Sequence, residues 1–247
     1  MYLVGDIGNT EIKIYVFSSR NKVIKKVYLK TNLLSNKYLG KKLKFINLIE
    51  KNIKKTLFCS VVPSAYKKIR LFVKRKNKIQ CKELKQINLK NLINIRVNKK
   101  QIGSDRLANA ISVIDKKSNF IILDFGTATT FDVVNKKKYL GGIISPGVKL
   151  SLDTLSLKAS LIPTVNLSKI KNVIGKNTDS AVKSGFYWGY AGLINNMIKL
   201  IIKQTKKSYK VIFTGGLSHL FKDAIDNKII VKKDLTINGV FKALKYL

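Results

Sequence analysis

Two stretches decide the fold: YLVGDIGNTEIKIYVF at residues 2–17 and FIILDFGTATTFDVV at residues 120–134. Each is an apolar run that ends in Asp-x-Gly, turns through small polar residues and returns as a second apolar strand. In the first return strand Ile12, Ile14 and Val16 share one face by the two-residue period of β-structure. The unit Asp6-Ile7-Gly8-Asn9-Thr10 thus recurs as Asp124-Phe125-Gly126-Thr127-Ala128-Thr129. A repeat at about half the chain length predicts two similar lobes. The boundary is expected near Ile114–Asn119, giving lobes at residues 1–115 and 116–247. The two hairpin turns would face each other across a cleft, the usual place for a ligand.

Outward from the hairpins, the first half reads as a third strand at Val23–Leu29 and one basic helix at Asn36–Asn52, with Leu39, Leu43, Ile46 and Ile49 at helical spacing. A short buried strand at Leu57–Val62 should stop at Pro63. A helix capped by Ser64 should follow to Lys74, and another should run over Asp105–Ile114. In the second half, Gly141-Gly142 reads as a third glycine turn. Lys210–Thr214 reads as a strand ending in a fourth, Gly215-Gly216. Gly185–Lys203 reads as a long apolar helix.

Composition narrows the function classes. The 247 residues carry a formal net charge of +36. Only five of the 49 basic residues are arginine, the side chain preferred for bidentate phosphate and base contacts. The lysines are spread over every segment instead of forming one stripe. A base-biased genome explains that pattern better than a dedicated nucleic-acid surface, and no nucleic-acid partner is expected. The two cysteines, Cys59 and Cys81, show no CxxC spacing. A reducing, cytoplasmic setting fits, and Cys59, inside an apolar run, should be a buried thiol. Met1–Asp6 lacks a leader pattern, and no stretch has the length of a membrane span. With one histidine, His219, neither a zinc site built on several His or Cys nor a His-based triad is expected. There is no GxxxxGK[ST], which excludes a P-loop.

Three motifs carry chemistry. The paired Asp-x-Gly turns offer backbone N–H donors for phosphates, because glycine lets the backbone approach closely. A carboxylate at the strand end can hold Mg²⁺. Gly103-Ser104-Asp105-Arg106 puts a carboxylate beside a guanidinium, a pattern that serves a general base near an anion, or simply caps a helix. Gly175-Lys176-Asn177-Thr178-Asp179-Ser180 is a loop rich in hydroxyl and amide donors ahead of a helix.

The ordered set is recognisable. Asp6-x-Gly-Asn-Thr-x-x-Lys13, Gly103-x-Asp-Arg106, Asp124-x-Gly-Thr-Ala-Thr-Thr130, Gly141-Gly-x-Ile-x-Pro-Gly147, Asn177-Thr-x-Asp-Ser180, Thr214-Gly-Gly216 and Asp234-Leu-Thr-Ile-Asn-Gly239 together resemble the type III pantothenate kinases, from about residue 2 to about residue 241. The resemblance implies an α/β fold of two duplicated ribonuclease H-like, actin-like (ASKHA) lobes. Each lobe would be a mixed sheet flanked by helices, with the nucleotide cleft between the two. It implies ATP-dependent phosphorylation of pantothenate, the first step of coenzyme A biosynthesis.

By the same resemblance, Asp6, Ile7, Gly8, Asn9, Thr10, Glu11, Ile12 and Lys13 form the first ATP turn, with Asp6 a candidate Mg²⁺ ligand, and Thr127 contacts ATP. Asp105 is the proton acceptor, and Gly103, Ser104, Asp105 and Arg106 line the pantothenate site. Asp124 holds a monovalent cation, K⁺ or NH₄⁺. Thr178 reaches pantothenate from a partner subunit, so a homodimer is implied. One departure stands out: where the family carries Tyr and then Asn-Pro before its Gly-x-Asp-Arg turn, this chain has Arg96, Asn98 and Lys99. The competing readings are another actin-like small-molecule kinase and a non-catalytic regulatory descendant of the family.

Overall fold

The computed structural model describes residues 1–77 and 80–247. The chain forms two compact units, Met1–Ile114 with Asp234–Leu247, and Asp115–Lys233.

In the first unit, β1 (Tyr2–Ile7), β2 (Glu11–Phe17) and β3 (Val23–Lys30) form an antiparallel meander. Beside β1 lies β4 (Lys55–Ser60), and beside β4 lies β5 (Lys82–Glu83), both parallel. The sheet order is β3-β2-β1-β4-β5. The alternation read in residues 2–17 sets which face each side chain takes. Leu3, Ile7, Ile12, Ile14 and Val16 pack in one core with Leu39, Leu43, Ile46, Ala65, Ile69 and Val73 from the helices α1 (Asn36–Lys42), α2 (Ile46–Ile49) and α3 (Pro63–Asn77).

Two helix expectations change. The single helix over Asn36–Asn52 is broken into α1, α2 and a terminal 3₁₀ turn, Glu50–Asn52. Leu39, Leu43 and Ile46 are buried as expected, but Phe45 also packs against this core. Phe45 is two residues from Leu43, so a straight helix would turn it away. The break brings both in. Pro63 does not merely stop the strand: it is the first residue of α3, where a missing N–H and a fixed φ cost nothing.

The second unit repeats the plan. β7 (Asn119–Phe125), β8 (Ala128–Asn135) and β9 (Lys138–Pro146) form the antiparallel meander. β10 (Lys210–Gly215) lies parallel to β7, and β11 (Ile229–Val231) lies parallel to β10. Within this unit the order is β11-β10-β7-β8-β9, the same sequence of neighbours and directions as in the first. Two helices follow from its loops, α5 (Val148–Lys158) and the 28-residue α6 (Thr178–Thr205). Tyr187, Ala191, Ile194, Ile198 and Ile201 of α6 pack on Ile121, Leu123, Phe131, Val211 and Phe213 of the sheet.

The expected turn at Gly141-Gly142 is not a turn. Both glycines lie inside β9, opposite Val133 and Asp132, where the register shifts. The turn comes earlier, between β8 and β9, where Lys136 takes the left-handed conformation (φ 54°).

The C-terminus corrects the expected second lobe. Asp234–Leu247 belongs with the first unit. Its helix α7 (Leu235–Ala243) packs on α4 (Ser104–Val113) and on β1. Phe241 stacks on Phe17 with ring centroids 4.0 Å apart. Gly239 permits the helix contact, since a Cβ there would lie 1.8 Å from the Ala108 carbonyl oxygen. Asp234 anchors the segment, accepting from the Tyr15 hydroxyl at 2.8 Å and from the Lys26 ammonium at 2.8 Å. The short strand β6 (Asn94–Ile95) precedes α4. The sequence alone offered no reason to send these last residues back, because the contacts that hold them are all non-local.

Candidate active site

The first hairpin places Asp6 at the end of β1, opposite Lys13 on β2 and Cys59 on β4. The turn closes with the Gly8 N–H donating to the Glu11 carbonyl at 3.0 Å. Thr31 stiffens it: its hydroxyl donates to the Gly8 carbonyl (2.8 Å) and its N–H to the Thr10 carbonyl (3.1 Å). Asn9, Thr10 and Glu11 are exposed at the tip, while Ile7 and Ile12 are fully buried.

Asp105 sits in the first turn of α4, behind the N-cap Gly103. Its Oδ1 accepts the Arg106 N–H at 2.7 Å. Burial pushes its pKa above the ordinary carboxylate value, while the Arg106 N–H and guanidinium pull in the other direction. The Ser104 side chain is turned to the interior. It is 2% exposed, and its hydroxyl donates to Glu83 Oε1. The loop before this turn carries Arg96, Asn98 and Lys99, all exposed. Asn98 folds it locally, its side chain accepting from the Lys100 N–H (3.0 Å) and its carbonyl from the Gln101 N–H (3.1 Å).

Asp6 and Asp105, far apart in sequence, are both near enough to Cys59 for their charges to act on its thiol. The Cys59 thiol donates to Asp6 Oδ1 at 3.4 Å. Its pKa is driven up by complete burial and then by the nearby charges of Asp6, Asp105 and Glu83, so it stays a neutral donor. Sequence reading caught the buried thiol and missed its role. The one available signal was its place at the end of an apolar strand, as for Asp6.

In the second unit, Asp124 is the last residue but one of β7. Its partners across the ladder are Thr130 on β8 and Thr214 on β10. Directly opposite residues project to the same face, so two hydroxyl side chains flank this carboxylate. The Thr130 hydroxyl is buried with no hydrogen-bond partner among the described residues. Gly215 follows with φ +87°, and a Cβ there would come 2.7 Å from Asp124 Oδ1. Gly126 and Thr127 are exposed at the turn. Thr178 opens α6 and is exposed; the preceding Asn177 caps the helix by accepting the Ser180 N–H at 2.9 Å. His219 is exposed.

Comparison with known proteins gives a consistent result. Residues 2–200 match the type III pantothenate kinase family. A type III pantothenate kinase of Pelagibacter ubique is 58% identical over 243 residues, 98% of each chain. One from Ehrlichia canis is 36% identical over 97% of this chain and 94% of its own. Among solved structures, a Campylobacter jejuni protein described as a Baf family transcriptional activator aligns over 98% of this chain and 97% of its own, with 21% identity and a TM-score of 0.59. The activator of 2-hydroxyisocaproyl-CoA dehydratase from Clostridium difficile, solved with ADPNP, aligns over 99% and 93% with 13% identity and a TM-score of 0.54. At those identities the two structures speak to the fold alone.

Proposed function

We propose that Asp105 is the base, and that Asp6 and Asp124 hold the cations, of the reaction this chain catalyses as a member of the type III pantothenate kinase family, the phosphorylation of pantothenate by ATP to 4'-phosphopantothenate. The observation that supports the assignment is that Asp105 and Asp6 both act on the buried Cys59 thiol inside one compact unit. Phosphoryl transfer asks a protein for positioning and charge neutralisation more than for covalent chemistry. A base whose pKa is lifted by burial takes up a proton more readily as the P–O bond forms. Arg106, next in the chain, suits the carboxylate of pantothenate. Residues Asp6 to Lys13 cradle ATP through the backbone of the turn and through Lys13, with Thr127 as a further contact.

The residues present fit the cations. Asp6 offers an oxygen at a turn built for phosphates, where Mg²⁺ would neutralise charge on the transferring group. Asp124 offers a carboxylate beside the buried, unpartnered Thr130 hydroxyl, an all-oxygen pair that suits K⁺ or NH₄⁺.

A homodimer with Thr178 reaching the partner's substrate is part of the same reading. Its support is apolar exposure: Leu157, Leu161, Val173 and Ile174 are 80%, 90%, 66% and 84% exposed, on α5 and on the segment leading to Thr178. Apolar side chains exposed at that density are usually covered by a partner. The cytoplasm is the compartment we assign, in keeping with two buried, unbridged cysteines. No helix among the described residues is long and apolar enough to cross a membrane.

The test is ADP release from ATP with Mg²⁺ and K⁺, with and without pantothenate, alongside sedimentation. Pantothenate-dependent release from a dimer is expected. Release stimulated by a sugar or another hydroxy acid, but not by pantothenate, would move the chain to a different actin-like kinase activity. An active monomer would remove the role given to Thr178.

A further inference from the structure

We propose that Glu83 and Lys85 are positioning residues for the reaction, bracing from behind the turn that presents Asp105. The inference rests on the reading of Asp105 as the base. Glu83 ends β5, in register with Phe58 of β4, one residue from Cys59. It is also the N-cap of a one-turn 3₁₀ helix, Leu84–Gln86, fixed by the fully buried Leu84. The Glu83 carboxylate accepts the Lys85 N–H at 2.6 Å, and the Gln86 side chain accepts the Glu83 N–H at 3.2 Å. With one oxygen committed to this cap, the other takes the Ser104 hydroxyl. Ser104 is 2% exposed and directly precedes Asp105, so this bond fixes the first residue of α4 to the sheet edge.

Lys85 completes the brace. Its ammonium donates to the Ile102 carbonyl at 2.9 Å and to the Lys100 carbonyl at 3.1 Å. The loop that enters the Asp105 turn is thereby held at two points, and the turn itself at a third. None of the three points uses an atom of Asp105, whose Oδ1 accepts the Arg106 N–H. Charged partners make the brace stiff, since hydrogen bonds to ionised groups are shorter and stronger than neutral ones. An error of about 1 Å in the place of a base can cost about 100-fold in rate.

The experiment compares kcat and KM of wild type, Glu83→Ala, Ser104→Ala, the Glu83→Ala/Ser104→Ala double variant, Lys85→Met and Lys85→Arg, with Asp105→Asn as reference. Amide exchange at residues 100–106 is followed in each. Glu83→Ala should lower kcat about 10- to 100-fold with KM for ATP unchanged. Ser104→Ala should lower kcat in the same direction, and the double variant should be no worse than Glu83→Ala alone, because the bond lost with Ser104 is already lost with Glu83. Lys85→Met should lower kcat, and Lys85→Arg, which keeps two donors, should restore it. Lys85 is exposed, so its variants fold even where Glu83→Ala does not.

Wild-type kcat in Lys85→Met, or additive losses at Glu83 and Ser104, would overturn the brace while an inactive Asp105→Asn left the base in place. Turnover in Asp105→Asn would instead remove the base. In that event faster exchange at residues 100–106 in Glu83→Ala and Lys85→Met would still establish the brace, and unchanged exchange would dismiss it.

Discussion

The two units carry the same hairpin, yet surround its aspartate differently. In the first, the strand partners of Asp6 are Lys13 and Cys59, a cation and a neutral thiol. In the second, the partners of Asp124 at the same two positions are Thr130 and Thr214, two hydroxyls. The first turn carries its own positive charge, which suits the phosphate role proposed for it. The second offers oxygens only, the donor set of a hard cation. With the roles proposed above, four side chains would divide a duplicated backbone into a phosphate turn and a cation turn. The units differ again in what they gather around the hairpin. The first adds α4 with Asp105 and takes back the last 14 residues of the chain as a cover.

The sharpest way to break this comparison is to remove each aspartate. Asp6→Ala and Asp124→Ala should each lower turnover about 100- to 1,000-fold, the scale for losing one charge-stabilising group. Only Asp124→Ala should also abolish the difference between K⁺ and Na⁺ in a steady-state assay. An equal cation response in both variants would erase the distinction between the turns.

Next in size is the cover. Gly239→Val should destabilise by about 3 kcal/mol in a denaturant titration, since the added carbons meet the Ala108 carbonyl and backbone cannot step aside. The turns themselves separate under a one-carbon test. Gly215→Ala forces a Cβ to 2.5 Å from the Phe125 carbonyl oxygen at φ +87°, whereas at Gly8 the nearest atom is the Glu11 carbonyl oxygen at 3.1 Å. Gly215→Ala should cost about 1–3 kcal/mol, and Gly8→Ala clearly less, read by thermal melting.

The smallest effect is at the C-terminal anchor. Burial pushes the Asp234 carboxyl up, but the hydrogen bonds from Lys26 and Tyr15 and the charges of Lys26 and Lys13 together hold it below the ordinary carboxylate value. A depressed carboxylate contributes stability that is full above its unfolded value of about 3.9 and is lost as pH falls through the folded one. The pair is partly exposed, so Lys26→Ala should cost about 1 kcal/mol or less at neutral pH. That loss should vanish in acid.

Much of this was readable in advance. Both hairpins, α4 and most of α6 follow from period-two and helical spacing with glycine at the turns. These are local signals, and the structure obeys them. What escaped reading was non-local. Nothing in residues 234–247 announces that α7 crosses back to β1, because Phe241 and Gly239 are explained only by Phe17 and Ala108. Gly141-Gly142 imitated a turn while the true one used Lys136 without glycine. At the site, the carboxylates were visible as motifs, but Cys59 and Glu83 carry no motif. Their importance lies in strand register, which brings Asp6 opposite Cys59 and Glu83 opposite Phe58.

The measurement that bears most directly on the account is 4'-phosphopantothenate formation by wild type and Asp105→Asn as a function of pH, with ATP affinity measured on both. Wild type should form product with an acid limb above the ordinary carboxylate range, because burial raises Asp105. Asp105→Asn should form none while binding ATP as before. Product formation by Asp105→Asn with the same acid limb would contradict the assignment of the base and the site built around it.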